Sequence, residues 1–580
     1  MTVITHRRVL GSIVFVTVLL YFVWIRNSGV IPLSPHHVSY SETKPAFSRE
    51  TIKQPEITSD TKPNIIFILA DDYGYNDIGY HSKQYGGIIN TPVLDKLAYE
   101  GVILENYYVQ PMCSPTRTQL MSGQYQIHMG NQHKTIGHAQ PQCFPLDEVT
   151  LPQKLREANY TTHMVGKWHA GLYKAACLPH RRGFESFFGF LVGNSDHFSH
   201  SAGCSCENRC TGIGYDLHEN DMIADPKKWK GRYSTTILTD RAISIIKEQN
   251  EPLFLYVSYQ AVHVPLQPPK DPAYKYMNIS NSNRRNYAGI VSYMDYSIGR
   301  IVDALKQTNK WNNSVLVFQL FSKHQFKSAI RNYLIYVLTD NGGFTDDQSG
   351  NNWPLRGKKA TLWEGGVRGI GFVNSPLIPP HSRGRVSHDL IHVTDWFPTF
   401  VQGLAGGSLN GTKPLDGFNV WETISDKKPS ARTEILHNID PLITTNKIPK
   451  NFRHSEELFT PTTNAAIRVG EWKLITHEPK KGDWSVPPEL KSTLRKPAAT
   501  NTYQLIWLFN IKTDPLETND LSKAHPEKVR ELLQRLQHYN RTSVPIFYPL
   551  CDTKASPSRY SNFWIPWGET DWKQFTQIKT

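Results

Sequence analysis

The feature that most restricts the fold of this chain is a series of four apolar, strand-like runs. They cover residues 63–70, 161–165, 252–259 and 333–339. Segments with a helical pattern lie between them, at residues 91–101, 151–159 and 286–305. Continuous runs rich in β-branched residues are typical of strands that are buried on both faces of a parallel sheet. Their alternation with helices predicts an α/β fold, with a large, mostly parallel sheet covered by helices.

Polar residues directly follow the first and the last of these runs. Asp71 and Asp72 come after residue 70, and Asp340 and Asn341 come after residue 339. In an open α/β sheet, sites lie beyond the carboxyl ends of the strands. Carboxylate and amide oxygens at such a place suit a hard divalent cation such as calcium. A solvated acidic turn is the alternative, but it explains less readily why an Asp pair should end a buried strand.

Cys113 begins the pattern C-x-P-x-R, which ends at Arg117. Residues 116–121 predict a short helix that is stopped by Gly123, so Cys113 lies near a helix N-terminus. Free backbone N–H groups there favour an anion, and Arg117 adds a planar cation one turn later. The pattern therefore indicates a nucleophile beside a sulfate or phosphate site. The alternative is a buried or disulfide-bonded cysteine beside a turn proline.

Three more polar side chains follow the second and third strand-like runs. Lys167 and His169 close the second run, and His263 comes shortly after the third. A lysine at this edge can hold an anion, and a histidine can act as a general base near neutral pH. A single lysine or histidine in a loop is usually an ordinary surface residue, so position at a strand end is what favours a functional role.

Residues 107–128, which contain the C-x-P-x-R pattern, resemble the signature of the sulfatase family, and in particular arylsulfatase B and its close relatives. Five motifs match in order between Lys62 and Cys551. The resemblance implies an alkaline-phosphatase-like α/β fold. It also implies that the formylglycine-generating enzyme converts Cys113 to formylglycine before folding, and that the hydrated aldehyde is the nucleophile.

The resemblance also implies a role for each polar residue. One calcium ion is bound by Asp71, Asp72, Asp340, Asn341 and the formylglycine oxygen at Cys113. The sulfate is surrounded by Arg117, Lys167, His169, His263 and Lys359. Lys359 aligns with the active-site lysine of the family, but Lys358 is one position away and an error in the loop could exchange them. The family has a leucine where this chain has Ala170, which leaves the neighbouring polar roles intact.

In the implied reaction, one oxygen of the hydrated aldehyde attacks sulfur, and the alcohol leaves with a proton from His263 or Lys359. His169 then takes the proton of the second hydroxyl, and sulfate is expelled. The implied substrate is the 4-sulfate of N-acetylgalactosamine in dermatan or chondroitin sulfate. The alternatives are a related arylsulfatase with another sulfated substrate, and a catalytically dead binding protein on the same scaffold. A phosphatase of this superfold would need a Ser or Thr nucleophile and a two-zinc cage, neither of which is seen in the sequence.

Two features depart from the arylsulfatase B pattern. Residues 137–139 replace a cysteine that would pair with Cys551, whereas a Cys143–Cys177 disulfide is implied by the resemblance. In addition, an insert of roughly twenty residues, 319–338, separates the strand-like residues 314–318 from Asp340. We predict that residues 334–338, rather than 315–318, form the central strand, because they reach the metal ligands without a gap.

The N-terminus predicts entry into the secretory pathway. Residues 1–30 contain a basic start and an apolar run of 17 residues, 9–25, which predicts a signal peptide or, slightly favoured, a single membrane anchor. Residues 31–62 are expected to form a polar tether. Five sequons support a lysosomal or extracellular destination: Asn159, Asn278, Asn312, Asn410 and Asn540. The net charge of +13 suits a polyanion such as a sulfated glycan, and the compartment argues against nucleic acid.

The cysteines agree with an oxidising compartment, because six remain when Cys113 is set aside. The close spacing of Cys204, Cys206 and Cys210 could suggest zinc, but it favours a local disulfide because a full set of four ligands is absent.

The pattern changes near residue 426. Three strand-like runs, 433–437, 465–476 and 507–512, precede a helix at residues 526–539. They predict a small antiparallel sheet with one helix. We therefore expect a catalytic domain at residues 63–425 and a small C-terminal domain at residues 426–580.

Overall fold

The computed structural model describes residues 62–204, 210–249, 252–308, 310, 314–315, 334–445, 457–479, 482–495, 497, 504–569 and 571–576. The apolar run 9–25, the sequon at Asn312 and most of the 319–338 insert lie outside this range. In the described part, no helix has the length and apolar character needed to cross a membrane. The predicted signal peptide or anchor therefore stays a prediction.

The strands of the described chain are β1 (Asn64–Ala70), β2 (Val102–Leu104), β3 (Tyr107–Tyr108), β4 (Thr161–Lys167), β5 (Ser186–Phe190), β6 (Ser201–Gly203), β7 (Ile213–Tyr215), β8 (His218–Glu219), β9 (Met222–Ile223), β10 (Leu253–Ser258), β11 (Ser314–Val315), β12 (Leu334–Thr339), β13 (Gly371–Asn374), β14 (Arg385–Ser387), β15 (Ile391–His392), β16 (Glu434–Thr444), β17 (Thr463–Val469), β18 (Trp472–Thr476) and β19 (Ile506–Asn510).

The α-helices of the same part are α1 (Gly79–Ser82), α2 (Pro92–Tyr99), α3 (Cys113–Ser122), α4 (Leu151–Glu157), α5 (Pro226–Trp229), α6 (Ser234–Glu248), α7 (Lys270–Tyr274), α8 (Ser282–Gln307), α9 (Glu364–Val367), α10 (Trp396–Pro398), α11 (Trp421–Asp426) and α12 (Pro526–Thr542). The helix predicted at residues 116–121 thus begins earlier, at Cys113 itself.

The central sheet is mixed. Its strands follow the orders β11-β1-β12-β13-β2-β14 and β10-β4-β5-β8-β9. The two groups meet at β1 and β10, where the Tyr259 N–H donates to the Leu69 carbonyl at 2.9 Å. β1 pairs parallel with β12, and β4 pairs parallel with both β10 and β5, whereas β13 runs antiparallel to its two neighbours. The predicted α/β fold is confirmed, with an antiparallel strand on each side of the parallel core, β13 beside β12 and β8 beside β5.

Every residue of β1 is buried, as expected of a strand that is covered on both faces. β12 runs beside it from the pair Ile65–Leu334 to the pair Ala70–Thr339. The carboxyl ends of these two strands therefore coincide, and the polar residues that follow each strand meet at one edge. The prediction that residues 334–338 form the central strand is confirmed. β11 has two residues, which pair with the start of β1, and residues 316–318 lie outside the described chain.

A second, antiparallel sheet has the order β16-β17-β18-β19. The prediction of one strand at residues 465–476 was wrong, because the chain turns back at Gly470 to give β17 and β18. Gly470 has a φ of 53°, a left-handed value that glycine adopts at little cost. α12 packs on this sheet through Leu532, Leu533 and Leu536, which share a core with Leu436.

The chain after α12 returns to the main body instead of staying with the small sheet. Val544 donates its N–H to the carbonyl of Ile127 at 2.8 Å, and Asp552 donates to Ala139 at 2.8 Å. Trp564 is fully buried in the main core. The expected C-terminal domain at residues 426–580 is therefore divided in its contacts: its sheet and helix form one unit, and its last segment belongs to the main body.

Two disulfides are described in full. Cys143 and Cys177 are bonded, which confirms the pair implied by the resemblance. Cys204 and Cys210 form the expected local disulfide. Cys551 is also disulfide-bonded, so the loss of its expected partner does not leave it free. Its partner lies outside the described residues.

Candidate active site

Cys113 is the first residue of α3, and Met112 before it is extended, with φ −143° and ψ 152°. The side chain of Cys113 is buried, and it is the free cysteine among those described. Burial raises the pKa of the Cys113 thiol to about 12, so an unmodified sulfur is neutral at physiological pH. The predicted nucleophile thus sits at a helix N-terminus but is unreactive as a plain thiol.

The acidic and amide residues after β1 and β12 come together beside this cysteine. Asn341 Nδ2 donates to Asp72 Oδ1 at 2.7 Å, and the Asp72 N–H donates to Asp340 Oδ1 at 3.3 Å. One ligand atom from each of four residues lies within 4.8 Å of the others, a spacing that could hold a metal ion; the four residues are Asp71, Asp72, Cys113 and His263. The structure therefore brings all the predicted metal ligands to one edge of the sheet.

The fit of this group to a cation can be judged from its unpaired oxygens. Asp71 Oδ1 and Asn341 Oδ1 are buried and have no hydrogen-bond partner. Burial, and then the nearby charge of Asp340, raise the pKa of Asp71 to about 8. Buried orphan oxygens and crowded carboxylates are both costly unless a cation neutralises them. The donors present therefore fit a metal ion.

Arg117 clamps the carboxylate of Asp340. Its Nη2 donates to Asp340 Oδ2 at 2.7 Å, and its Nε donates to the same oxygen at 3.2 Å. Its Nη1 donates to Ser258 Oγ at 2.6 Å and to the Lys167 carbonyl at 3.0 Å. Four of its five N–H donors are thus used within the protein. The sequence predicted that Arg117 would face the anion near Cys113, and the structure adds that most of its hydrogen bonds hold the Asp340 carboxylate and the end of β10.

Two lysines lie beside the carboxylates that follow β1. Lys167 is fully buried, and its Nζ lies 2.5 Å from Asp71 Oδ2. Lys359 Nζ lies 2.5 Å from Asp72 Oδ1 and 3.6 Å from Cys113 Sγ. Although burial opposes its charge, Asp72 and the neighbouring acidic groups raise the pKa of Lys359, so it stays a cation. Lys358 instead pairs with Asp346, and of these two adjacent lysines Lys359 is the one beside Cys113.

The two histidines lie beyond β4 and β10. His263 Nδ1 is 2.7 Å from the Val264 carbonyl, which leaves Nε2 3.5 Å from Asp72 Oδ2. Burial lowers the pKa of His263 to about 3. His169 has a left-handed φ of 50° and a buried Nδ1 with no hydrogen-bond partner. Burial, followed by the charge of Lys167, lowers its pKa well below the usual range, so His169 is neutral and able to accept a proton.

Sequence reasoning missed three residues that shape the site. Ser258 ends β10 and binds Arg117, and its place at a strand end was a usable signal. Thr116, inside the C-x-P-x-R pattern, donates to the Asp340 carbonyl at 2.6 Å and so ties α3 to β12. His138 accepts the Gly193 N–H at 3.1 Å, and a Cβ added to Gly193 would lie 3.0 Å from the ring of His169. Nothing local in the sequence indicates that last contact.

A cleft of about 560 Å³ gives access to these groups. Asp72, His263 and Lys359 line it, together with the apolar side chains of Met112 and Phe344. Cations and a metal-binding group at its floor, with apolar walls, suit an anionic ester whose leaving group is partly apolar.

Several known proteins share sequence with this chain. The sulfatase family profile matches residues 63–406. Arylsulfatase J of Mus musculus is 45% identical over 518 residues, which cover 87% of this chain and 80% of that protein. N-acetylgalactosamine-6-sulfatase of Homo sapiens is 29% identical over 414 residues, which cover 66% of this chain and 69% of that protein.

A similar fold is found among solved structures. The crystal structure of Ps i-CgsB in complex with k-i-k-neocarrahexaose aligns with a TM-score of 0.66 at 26% identity. The alignment covers 87% of this chain and 97% of the other. The predicted alkaline-phosphatase-like α/β architecture, with a separate small antiparallel sheet, is therefore confirmed.

Proposed function

This chain belongs to the sulfatase family, and on that premise we propose that it hydrolyses a sulfate ester carried by a sugar. The observation that supports this best is the cluster of polar side chains, brought from separate chain segments, around Cys113. Lys359 Nζ lies 3.6 Å from its sulfur, and Asp71, Asp72 and His263 fall within one ligand cluster with it. Buried charges are costly and cluster at functional sites, so this set around Cys113 favours an active enzyme over a catalytically dead binding protein.

Cys113 is proposed to act as formylglycine. A thiolate that attacked sulfur would leave a stable thiosulfate-type adduct, because no second hydroxyl could expel the sulfate. Hydrated formylglycine, a gem-diol, supplies both the oxygen that attacks sulfur and the second hydroxyl, whose deprotonation expels sulfate and restores the aldehyde. The position of Cys113 at the start of α3 supports this role, since backbone N–H groups there favour the negative charge of the transition state.

Calcium is the ion we propose for the group after β1 and β12. Asp71, Asp72, Asp340 and Asn341 would hold it with the oxygen derived from Cys113, and all of these donors are oxygens, as calcium prefers. Bound there, the ion would supply positive charge to the sulfate oxygens and to the nucleophile. The orphan Oδ1 atoms of Asp71 and Asn341 support the choice of these residues.

The remaining residues are proposed to stabilise negative charge and to transfer protons. Lys167 and Lys359 stabilise the negative charge that grows on the sulfate oxygens, and Arg117 holds Asp340 in place. His169 is suited to take a proton from the nucleophile's second hydroxyl, because it is neutral. Lys359 is proposed to protonate the leaving alcohol, because it stays a cation and lines the cleft; His263 lines the same cleft and is the alternative donor.

For the substrate, we propose a sulfated N-acetylgalactosamine, with the 4-sulfate found in dermatan or chondroitin sulfate as the first candidate. The match to an N-acetylgalactosamine-6-sulfatase supports the sugar and makes the 6-sulfate the first alternative. The match to an arylsulfatase keeps other sulfated substrates in the test panel.

We also propose that the protein is made in the secretory pathway and acts in the lysosome or outside the cell. The described disulfides support an oxidising compartment. The sequon residues Asn159, Asn278 and Asn410 are exposed, so glycans could be attached without disturbing the fold.

The test begins with secreted protein, co-expressed with the formylglycine-generating enzyme. Peptide mass spectrometry across Cys113 should find formylglycine, and hydrolysis of sulfated sugars and of a small aryl sulfate should depend on added calcium after chelation. Cys113→Ala should abolish turnover while circular dichroism stays unchanged. Full activity of Cys113→Ala would contradict the proposal. Fully converted, calcium-loaded protein that hydrolyses none of the sulfate esters would contradict it as well.

A further inference from the structure

A second cavity adjoins the cleft, between the start of α3 and the C-terminal sheet. Its volume is about 270 Å³. Met112 and Ala360 line both this cavity and the cleft, so the two share a wall. The volume corresponds to the share of about nine water molecules, which is the scale of one sugar ring.

The lining of this second cavity combines apolar walls with hydrogen-bond acceptors. Pro115 and Leu362 give apolar surface from the main body. Asp440 on β16 and Glu478 after β18 give carboxylates from the small sheet, and both are buried. Apolar faces beside acceptors are what a pyranose ring needs, because its C–H faces are apolar and its hydroxyls donate hydrogen bonds.

One buried acceptor in the cavity is unsatisfied. Gln132 is 3% exposed, and its Nε2 donates to the Val544 carbonyl at 3.0 Å, which fixes the orientation of the amide. Its Oε1 is buried and has no hydrogen-bond partner. A buried acceptor without a partner destabilises the folded protein. A hydroxyl or amide N–H of a ligand would satisfy it.

The charges in the cavity disfavour a second anion. Asp440 and Glu478 contribute two carboxylates, whereas Lys134 is the one lysine or arginine among the lining residues. Asp440 Oδ2 also lies 2.8 Å from His133 Nδ1, which holds it in place. A sulfate or a uronate carboxylate here would meet the like charge of two buried carboxylates, and Lys134 alone among the lining lysines and arginines would offset it. An uncharged, hydroxyl-rich group would not be repelled by the carboxylates and could donate hydrogen bonds to them.

We infer that this cavity is a second sugar-binding subsite, which takes an uncharged sugar unit next to the sulfated unit held in the cleft. This inference rests on the proposed sulfatase function and changes the order of its candidate substrates. In dermatan and chondroitin sulfate the neighbour of N-acetylgalactosamine is a uronate, so a sulfated N-acetylgalactosamine beside a neutral sugar becomes the first candidate. The preferred substrate is then at least a disaccharide, with the sulfated sugar flanked by a neutral one. A small aryl sulfate would use the cleft alone and would gain nothing from the second cavity.

The test compares two substrates on one set of variants of the full, converted protein. The substrates are a sulfated disaccharide with a neutral neighbouring sugar and a small aryl sulfate. Ile443→Trp fills the cavity from β16, and Leu442→Trp is the matched control, because Leu442 is 58% exposed and does not line the cavity. We expect Ile443→Trp to lower kcat/KM for the disaccharide about tenfold, mainly through KM, and to leave the aryl sulfate within about twofold.

A second variant tests the charge argument within one preparation. Wild-type protein should prefer the disaccharide with a neutral neighbour over one with a uronate neighbour. Asp440→Asn should reduce this preference severalfold, and a ratio measured on the same sample does not depend on how much protein is folded.

The inference is overturned if Ile443→Trp changes neither substrate or lowers both equally, or if the uronate-containing disaccharide is preferred. Failure of the proposed function itself would look different, since wild-type protein would then hydrolyse neither the disaccharide nor the aryl sulfate.

Discussion

Lys358 and Lys359 are adjacent in the chain but face different partners. Lys359 Nζ approaches Asp72 and Cys113 Sγ, whereas the ammonium of Lys358 turns outward to Asp346, which is more than half exposed. One of these side chains therefore lies at the floor of the cleft and the other at its rim. The difference gives a matched pair for testing which cation serves the sulfate.

We expect Lys359→Ala to lower kcat/KM by about a hundredfold or more, because it removes a fixed cation from the place where negative charge grows. Lys358→Ala should lower it by less than about fivefold, since it removes a surface ion pair. Steady-state kinetics with an aryl sulfate would measure both. Equal losses in the two variants would contradict the assignment of Lys359.

His138 holds the backbone that packs against His169. Its Nδ1 lies 3.1 Å from the Gly203 carbonyl, so its Nε2 is the acceptor for the Gly193 N–H. The neighbouring Leu191 carbonyl accepts the N–H of His169 at 3.2 Å. His138 is therefore a positioning residue: it does not touch Cys113, but it sets where His169 lies.

We expect His138→Ala to lower kcat about tenfold with little change in KM, because a small misplacement of the base slows the chemical step. His138→Gln should recover most of kcat, since its amide oxygen can accept the Gly193 N–H. Kinetic parameters of the two variants, with thermal unfolding as the folding control, would decide this. A purely structural role would lower the melting temperature of both without this rescue.

At the scale of the elements, α3 depends on the glycine that ends it. Gly123 has a left-handed φ of 71°, and its N–H donates to the Gln119 carbonyl at 2.8 Å. A Cβ at this position would lie 2.9 Å from Cβ of Phe397 in α10. Any side chain here would therefore meet both backbone strain and a buried neighbour.

We expect Gly123→Ala to reduce the free energy of unfolding by about 3 kcal/mol, from strain plus overpacking. Gly406→Ala is the matched control, because Gly406 has a similar φ of 61° and nothing within 4 Å of its added Cβ. Gly406→Ala should reduce the free energy of unfolding by about 1 kcal/mol, from backbone strain alone. Urea titrations would measure both, and equal costs would show that the contact with Phe397 is unimportant.

At the scale of the whole molecule, a buried charged network joins the main body to the small sheet. Lys473 of β18 lies 2.8 Å from Glu364 Oε1 and 2.9 Å from Glu517 Oε1, and all three side chains are fully buried. Glu364 begins α9, shortly after the loop that carries Lys359, and its N–H donates to Glu517 Oε2 at 2.8 Å. The small sheet thus helps to hold the active-site loop.

This network predicts a pH dependence of stability. Burial raises the pKa of Glu517 from its ordinary value of 4.5 to about 7. Because the folded protein holds this proton more tightly than the unfolded chain, the contribution of Glu517 to the free energy of unfolding should fall as the pH rises from about 4.5 to about 7. Glu517→Gln should flatten that fall, since an amide does not titrate. Urea midpoints at several pH values across this window would measure it.

The control for the pH experiment is Glu531→Gln, which changes an exposed carboxylate on α12 that is paired with Lys528. It should leave the slope unchanged. An unaltered slope in Glu517→Gln would show that another group causes the pH dependence.

The sequence by itself determined the elements that form the sheet core and most of the candidate site. Burial on both faces requires continuous apolar runs, so β1, β4, β10 and β12 could be recognised locally. The site residues could be predicted because the carboxyl ends of parallel strands meet at one edge, which places Asp71 and Asp340 together without any knowledge of distant contacts. The motif around Cys113 also indicated the sulfatase family.

Only the tertiary structure decided which partner each polar group faces. Arg117 binds Asp340, 223 positions away, and His138 reaches Gly193 across a loop, and neither choice leaves a periodic signal in the sequence. The hairpin at Gly470 and the return of the last segment to the main body depend in the same way on long-range contacts. Local patterns specify which face of an element is buried, whereas the pairing of side chains depends on where the folded chain brings distant segments together.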